Sequence, residues 1–274
     1  MTQGNPAVAD SARAGVAALL MRGVHAILYI YPIVLVLLIW EVFSRVGIFD
    51  PFFVPPFSEV LATLYDQLFV SGDILVHTLA SLRRISIGYA IAAVVGVSMG
   101  LAMGRITWIR NFFDPLIAAI YPTPKLALLP LMMALLGIGD ASKITLIAIA
   151  AFFPIVLSTF AGVKDIDHFL IWNARTKGAN SFQVLRTVIL PASMPYIFTG
   201  LRIALAHAFL LIVASELISA NEGLGFLIMF AERNLNQTLM FSGILMIALI
   251  GFAATQTLQI IGQRLFIWQK HEEE

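Results

Sequence analysis

The sequence contains no cysteine and few charged residues. With 0 Cys in 274 residues, disulfides, iron–sulfur clusters and thiolate zinc sites are excluded. Charged residues make up only 12% of the chain, against about a quarter in soluble domains, and 59% of the residues are hydrophobic. Lys and Arg number 17 against 16 Asp and Glu, so there is no basic field to hold nucleic acid. This composition argues against a soluble enzyme and a disordered scaffold, and predicts a polytopic membrane protein.

Motifs for catalysis are missing as well. The sequence has no H-E-x-x-H zinc motif, no G-x-S-x-G nucleophile motif and no paired carboxylate motif. The phosphate-binding pattern G-x-x-x-x-G-K-[ST] does not occur either. We therefore expect a protein that is not an enzyme, with no catalytic residue, metal or cofactor of its own. If ATP drives it, the ATPase must be a separate chain.

Apolar runs dominate what is present. A bilayer core takes about 20 mostly apolar residues per helix, and about six candidate runs meet this need. They are Ile27–Phe43, Ile85–Met103, Pro115–Leu136, Ile144–Val163, Tyr196–Ser219 and Phe241–Leu265. The sequence thus predicts an all-α polytopic protein with one transmembrane domain over 27–265, preceded by a segment 1–26 and followed by a tail 266–274.

The distribution of basic residues predicts the orientation. With a cytoplasmic N-terminus, ten of the 17 Lys and Arg residues lie inside and five lie outside. The positive-inside rule then favours both termini in the cytoplasm. Arg83 and Arg84, at the edge of the second run, fit least, and we interpret them as reaching the outer interface.

The outer loop 44–78 has a helical pattern of its own. Ser58 suits an N-cap, and one face of the helix that follows would carry apolar side chains. Those side chains are Leu61, Leu64, Tyr65 and Leu68. We expect a short amphipathic helix at the outer surface.

The inner loop 164–195 predicts two short amphipathic helices. Asp167 can cap the first, Gly178 allows a tight turn, Ser181 can cap the second and Pro191 would end it. One face of the second helix would carry Phe182, Leu185 and Val188 or Ile189. The pair is expected either to dock a soluble partner or to lie in the lipid head groups.

The same loop resembles the EAA loop of ABC importer permeases, whose signature is E-A-A-x-x-x-G, nine more residues and I-x-L-P. Aligned on Gly178, the stretch Val188-Ile189-Leu190-Pro191 falls on I-x-L-P and Ala174 on the last alanine of E-A-A. Trp172 stands where the family has Glu, and Asn173 where it has Ala. The stretch Tyr121-Pro122-Thr123-Pro124-Lys125, among others, is similar to the nitrate/sulfonate/taurine branch, whose membrane domain resembles the methionine-importer type.

The resemblance implies a type I permease fold with a cytoplasmic coupling-helix loop. It implies a homodimer of permease subunits in the cytoplasmic membrane, with two ATPase subunits that bind ATP and Mg. A substrate-binding protein would deliver a small solute such as a sulfonate, taurine or nitrate from outside. The positions that it assigns to ATPase coupling are Trp172, Asn173, Ala174, Arg175, Gly178, Ala179, Phe182, Leu185, Arg186, Leu190 and Pro191.

Candidates for the substrate pathway come from polar groups within the runs. Lys125 lies about 15 Å into the third run, near the membrane midplane, where an ammonium costs at least ~2.5 kcal/mol. Pro122 and Pro124 break the helix around it, so this segment is expected to line the pathway and to favour an anion. Alternatively Lys125 pairs within the bundle. His207 is a pathway candidate or a core histidine with a hydrogen-bond partner, and Glu216 a vestibule residue or an interface cap.

Small residues recur every four positions in the second run. Ala92, Gly96, Gly100 and Gly104 form a stripe that allows close helix packing, within the subunit or across a dimer. This stripe carries no chemistry.

Two other functions compete with an ABC permease. A stand-alone secondary transporter or channel for a small anion would need several ionisable groups within the membrane, where only Lys125 and His207 qualify. An intramembrane enzyme would need a polar catalytic set, which the sequence does not show.

Overall fold

A computed structural model describes residues 31–265, and these residues form helices joined by short turns. In chain order the helices are α1 (31–45), α2 (Phe57–Phe69), α3 (Asp73–Arg105), α4 (Thr107–Ile120), a 3₁₀ turn (Lys125–Leu128), α5 (Leu129–Leu136), α6 (Asp140–Lys164), α7 (His168–Thr176), α8 (Ser181–Val184), a π-helical turn (Leu185–Ile189), α9 (Leu190–Ile218), α10 (Leu224–Arg233) and α11 (Gln237–Leu265). The expected all-α fold class is confirmed. The predicted segment 1–26 and tail 266–274 lie outside the described residues.

Four of the described helices are long and apolar enough to cross a membrane. They are Asp73–Arg105, Asp140–Lys164, Ser181–Ile218 and Gln237–Leu265. The pair Thr107–Ile120 and Lys125–Leu136 meets the same test together but is bent by 94°, and counts as a fifth span if it is one broken span. The first predicted run starts outside the described range, and its described part is helical within 31–45.

The helices extend beyond the predicted runs. Helix α3 begins at Asp73 rather than at Ile85, so Arg83 and Arg84 lie within it. Helix α4 begins at Thr107 and passes through Pro115 before the chain breaks. Apolar composition marks the membrane core, whereas a helix goes on as long as its backbone hydrogen bonds are satisfied.

The prediction that Pro191 ends the second helix of the inner loop is wrong. The chain is helical from Ser181 to Ile218 without interruption. The π-helical turn Leu185–Ile189 precedes α9, and the Leu190 amide donates to the Leu185 carbonyl. Pro191 occupies one of the first positions of α9, where the wider turn has released the hydrogen bond that a proline cannot make.

The helix predicted in the outer loop is present as α2, but the predicted N-cap was wrong. It begins at Phe57, so Ser58 is inside it, where the Ser58 amide donates to Glu41 Oε2 at 3.0 Å. On the predicted apolar face only two of the four residues turn inward. Leu64 and Leu68 pack in a cluster with Ile74, whereas Leu61 and Tyr65 are exposed.

The core of the second unit, Leu64–Glu274, is built by α3, α6 and α9. Small residues of α3 lie directly against α6. A Cβ added at Gly96 would lie 2.9 Å from Ile155 Cγ2, and one at Gly100 would lie 2.5 Å from Thr159 Cβ. The small-residue stripe therefore faces α6 of the same chain, which leaves no room for a larger side chain.

Gly100→Ala tests this close approach. We expect a loss of about 1–3 kcal/mol in the free energy of unfolding, because the new methyl group has to push α3 and α6 apart. Gly251→Ala in α11 is the control, since its Cβ would meet Phe209 at an ordinary 3.8 Å. Thermal unfolding of the detergent-purified protein measures both, and equal midpoints for the two variants would refute the argument.

Candidate functional site

The loop between α6 and α9 begins with a helix whose two ends are both capped. The Asp167 carboxylate accepts a hydrogen bond from the Phe169 amide at 2.8 Å, which starts α7 as predicted. At the other end Gly178 has a φ of +83°. The amides of Gly178 and Ala179 donate to the carbonyls of Arg175 and Ala174 at 2.9 and 3.1 Å. This is a Schellman turn, which favours glycine at the position with positive φ.

The second helix of the loop is capped by Asn180 and not by Ser181. The Gln183 amide donates to Asn180 Oδ1 at 2.9 Å, and the Asn180 amide donates to Gln183 Oε1 at 2.8 Å. Ser181 is the first helical residue. The reciprocal pair satisfies two amides at once, which a serine at the next position could not do with the same partner.

The face that was predicted to carry Phe182, Leu185 and Val188 or Ile189 is divided between buried and exposed residues. Val184 and Ile189 are fully buried in a cluster with Val163 and Ile166. Phe182, which was expected on that face, is 70% exposed. The π-helical turn widens the helix at Leu185–Ile189, and Val184 and Ile189 then face the same buried cluster.

The loop therefore presents aromatic side chains outward beside a groove. Phe169 and Trp172 are exposed with ring centroids 6.0 Å apart. The groove has a volume of about 440 Å³. It is lined by Leu170, Asn173, Ala174, Lys177, Thr187, Val188, Pro191 and Ala192. Among the predicted coupling residues, Arg175 and Arg186 are exposed and Leu185 and Leu190 are partly buried. Exposed aromatic groups with nearby cations suit a protein partner.

At the opposite ends of α6 and α9 lies a buried charge cluster centred on Arg84. Its side chain is 4% exposed and that of Glu216 is 0% exposed. Arg84 Nη1 donates to Glu216 Oε1 at 2.7 Å, Nε to Asp140 Oδ1 at 2.6 Å and Nη2 to Glu222 Oε1 at 3.0 Å. Arg83 also pairs with Asp140. The interpretation of Arg84 as an interface residue is therefore wrong.

Glu216 is held by more than its ion pair. The Ser81 hydroxyl lies 2.8 Å from Glu216 Oε2, and the Gly225 amide donates to the same oxygen at 3.0 Å. Gly223, with a φ of +119°, lets the chain pass over the carboxylate. The carboxylate is thus fully satisfied within α3, α9 and α10, so Glu216 does not act as an interface cap.

The structure does not bring the predicted pathway residues together. Lys125 follows the break that contains Pro122 and Pro124, and its ammonium bonds to the Tyr121 carbonyl and lies 5.2 Å from the Phe153 ring centroid. His207 lies on an exposed face of α9, with Nδ1 3.0 Å from the Ile203 carbonyl. Glu216 belongs to the Arg84 cluster.

No local sequence pattern predicted that Arg84, Asp140 and Glu222 form a unit. The predicted orientation did contain a signal. It places the pair Arg83 and Arg84 and the acidic residues Asp140, Glu216 and Glu222 near helix ends on the same side of the membrane. Within the described residues no group of His, Cys, Asp and Glu is suited to hold a metal ion.

Comparisons with known proteins agree with this geometry. A family model for "binding-protein-dependent transport system inner membrane component" matches residues 92–267. The taurine transport system permease protein TauC of Escherichia coli is 39% identical over 236 residues, which is 85% of this chain and 86% of the relative. The nitrate import permease protein NrtB of Leptolyngbya laminosa is 32% identical over 68% of this chain and 67% of its own.

A solved structure shows the same fold. It is an inward-facing conformation of the MetNI methionine ABC transporter, with a TM-score of 0.62 at 17% identity. The match covers 71% of this chain and 97% of that one. The chain belongs to the family of binding-protein-dependent transport system inner membrane components and is an ABC transporter permease subunit with the type I fold.

Proposed function

We propose that this subunit couples a separate ATPase to its membrane helices through the loop 164–195. The observation that carries this proposal is the pair of capped helices around Gly178, which presents Phe169, Trp172 and Phe182 outward. The loop connects α6 directly to α9, two of the three core helices, so a movement imposed on it reaches the bundle. Trp172 in place of the family's Glu offers the partner an apolar contact where an acid would offer a charge.

The assembly proposed for this subunit follows the family. Two permease copies would pair in the cytoplasmic membrane with both termini inside, and each would dock one ATPase subunit that binds ATP and Mg. An extracytoplasmic protein would deliver the solute. The basic loop residues Arg175, Lys177 and Arg186 support the cytoplasmic assignment of the loop.

The solute proposed for this subunit is a small anion or a molecule with an anionic group. Relatives named for taurine and nitrate support this class. The pathway would pass the broken helix at Pro122, Pro124 and Lys125, and His207 and Glu216 remain candidates along it. ATP-dependent uptake into vesicles that contain the whole complex tests this, and uptake that persists without ATP hydrolysis would instead favour a stand-alone carrier.

Cross-linking from Phe182→Cys tests the docking surface. Because this chain has no native cysteine, a maleimide–succinimide reagent that is attached to the purified permease before the ATPase is added starts from this position alone. We expect cross-links to ATPase lysines, identified by mass spectrometry of the purified complex, because Phe182 is 70% exposed on the loop.

The control for this experiment is Ile138→Cys. Ile138 is equally exposed, at 76%, but lies between α5 and α6, at the end of α6 away from the loop. It should give no ATPase cross-links. If Phe182→Cys also gives none in a complex that hydrolyses ATP, the loop is not the docking surface.

A further inference from the structure

A cavity of about 470 Å³ lies beside the Arg84 cluster, at the end of α6 away from the inner loop 164–195. Lys143 lines it near the start of α6, and Lys164 ends the same helix. At 1.5 Å per residue these two lysines are about 30 Å apart along the helix axis, which is the thickness of a bilayer core. If the loop faces the cytoplasm, the cavity lies on the side from which an imported solute arrives.

The Lys143 ammonium has N–H groups at this cavity that donate no hydrogen bond to any described residue. It is 2% exposed, and its ammonium donates to the Gly139 carbonyl at 3.2 Å. Among the described residues no carboxylate lies within ion-pair distance of it. A lysine has three N–H donors, so at least two are unused in a buried position. Such a group favours a bound anion.

The acidic residues of the cavity differ in how many of their carboxylate oxygens already accept a hydrogen bond. Both oxygens of Glu216 and both oxygens of Asp140 accept hydrogen bonds. Glu222 uses Oε1 alone, which accepts from Arg84 and lies 3.6 Å from Arg83. Its Oε2 has no partner among the described residues, and its side chain is 45% exposed. Glu222 can therefore accept a hydrogen bond from a cationic group.

Part of the remaining cavity wall is aromatic or apolar and leaves room for a short carbon chain beside Ser219 and Asn221. Phe226 and Phe230 of α10 stack with centroids 6.0 Å apart, and Met229 lies beside them. Three acidic and three basic side chains line the cavity: Asp140, Glu216, Glu222, Arg84, Lys143 and Arg233. Because acidic and basic side chains are equal in number, this lining favours a molecule that carries a positive and a negative group over a simple anion.

We propose that this cavity binds a small zwitterion, whose anionic group contacts Lys143 and whose ammonium contacts Glu222. The site would receive the solute after its delivery and select for the presence of both charges. This proposal rests on the proposed function, because it names the solute class that the importer accepts.

Solute binding to the purified permease–ATPase complex, without the binding protein, tests the proposal. The probes are taurine and ethanesulfonate, which differ only in the ammonium group. Taurine should bind more tightly by about tenfold, the effect of one charge-assisted hydrogen bond.

Variants of the two proposed contacts separate their roles. Lys143→Gln should lower the affinity for both probes, whereas Lys143→Arg should retain the affinity for both. Glu222→Gln should remove the preference for taurine, and Arg264→Gln, exposed at the end of α11, should change neither affinity.

Several outcomes would overturn the proposal. Equal affinity for the two probes would do so, as would an unchanged affinity in Lys143→Gln. If Lys143→Gln does not assemble, Glu222→Gln decides, because its half-exposed side chain can be changed without unfolding the cluster. A complex that imports solutes with ATP but shows no such binding refutes the site and leaves the proposed function intact. A complex that imports nothing with ATP refutes the proposed function itself.

Discussion

Arg84→Met is expected to lower the free energy of unfolding by about 3–5 kcal/mol, because it leaves a buried carboxylate without its counter-charge. Glu216 is fully buried and loses the guanidinium that lies 2.7 Å from Oε1. Asp140 and Glu222 lose a partner in the same step. Chemical unfolding of the detergent-purified protein, followed by tryptophan fluorescence, measures the change.

The neighbouring arginine provides a matched control. Arg83 is 57% exposed and pairs with the same Asp140, so Arg83→Met should cost less than about 1 kcal/mol. The double variant Arg84→Met/Glu216→Gln should recover part of the loss, because a neutral amide is cheaper to bury than a carboxylate. Equal losses for Arg83→Met and Arg84→Met would show that burial of the ion pair has no energetic weight.

The Arg84 cluster also shows where the sequence stopped being informative. Hydropathy located the apolar runs, since each run is defined by the mean hydropathy of neighbouring residues. The second run was predicted to start at Ile85 because Arg83 and Arg84 lower the mean hydropathy just before it. Their partners Asp140 and Glu216 are 56 and 132 residues from Arg84 along the chain. Only tertiary packing brings them together, and no local pattern contains that information.

The inner loop 164–195 was predicted better because turn chemistry is local. Asp167 and Gly178 have the expected roles, since a cap and a positive φ depend on a few neighbouring residues. Asn180 and Ser181 are nearly equal as N-caps, and the choice depended on the reciprocal bond from Gln183. Pro191 was read as a helix end because the π-helical turn before it has no simple sequence signature.

Gly178→Val is expected to lower ATP-driven uptake about tenfold while membrane insertion is retained. The φ of +83° costs a β-branched residue about 1–2 kcal/mol, which is a factor of about 5–30 in the population of the native turn. A Cβ at this position would meet nothing within 4 Å, so the effect comes from the backbone and not from a clash. Uptake and ATP hydrolysis by the reconstituted complex measure it.

Gly178→Asn separates the conformation of the turn from the identity of its residue. Asparagine adopts positive φ more readily than other non-glycine residues, so this variant should keep most of the uptake. Since the side chain of either variant points into open space, a contact with the ATPase would be disturbed by both. Equal loss in Val and Asn variants would therefore mean that Gly178 serves as a contact surface. If both variants retained full uptake, coupling would not depend on the conformation of this turn. The two capped helices would then transmit motion whatever the angle between them.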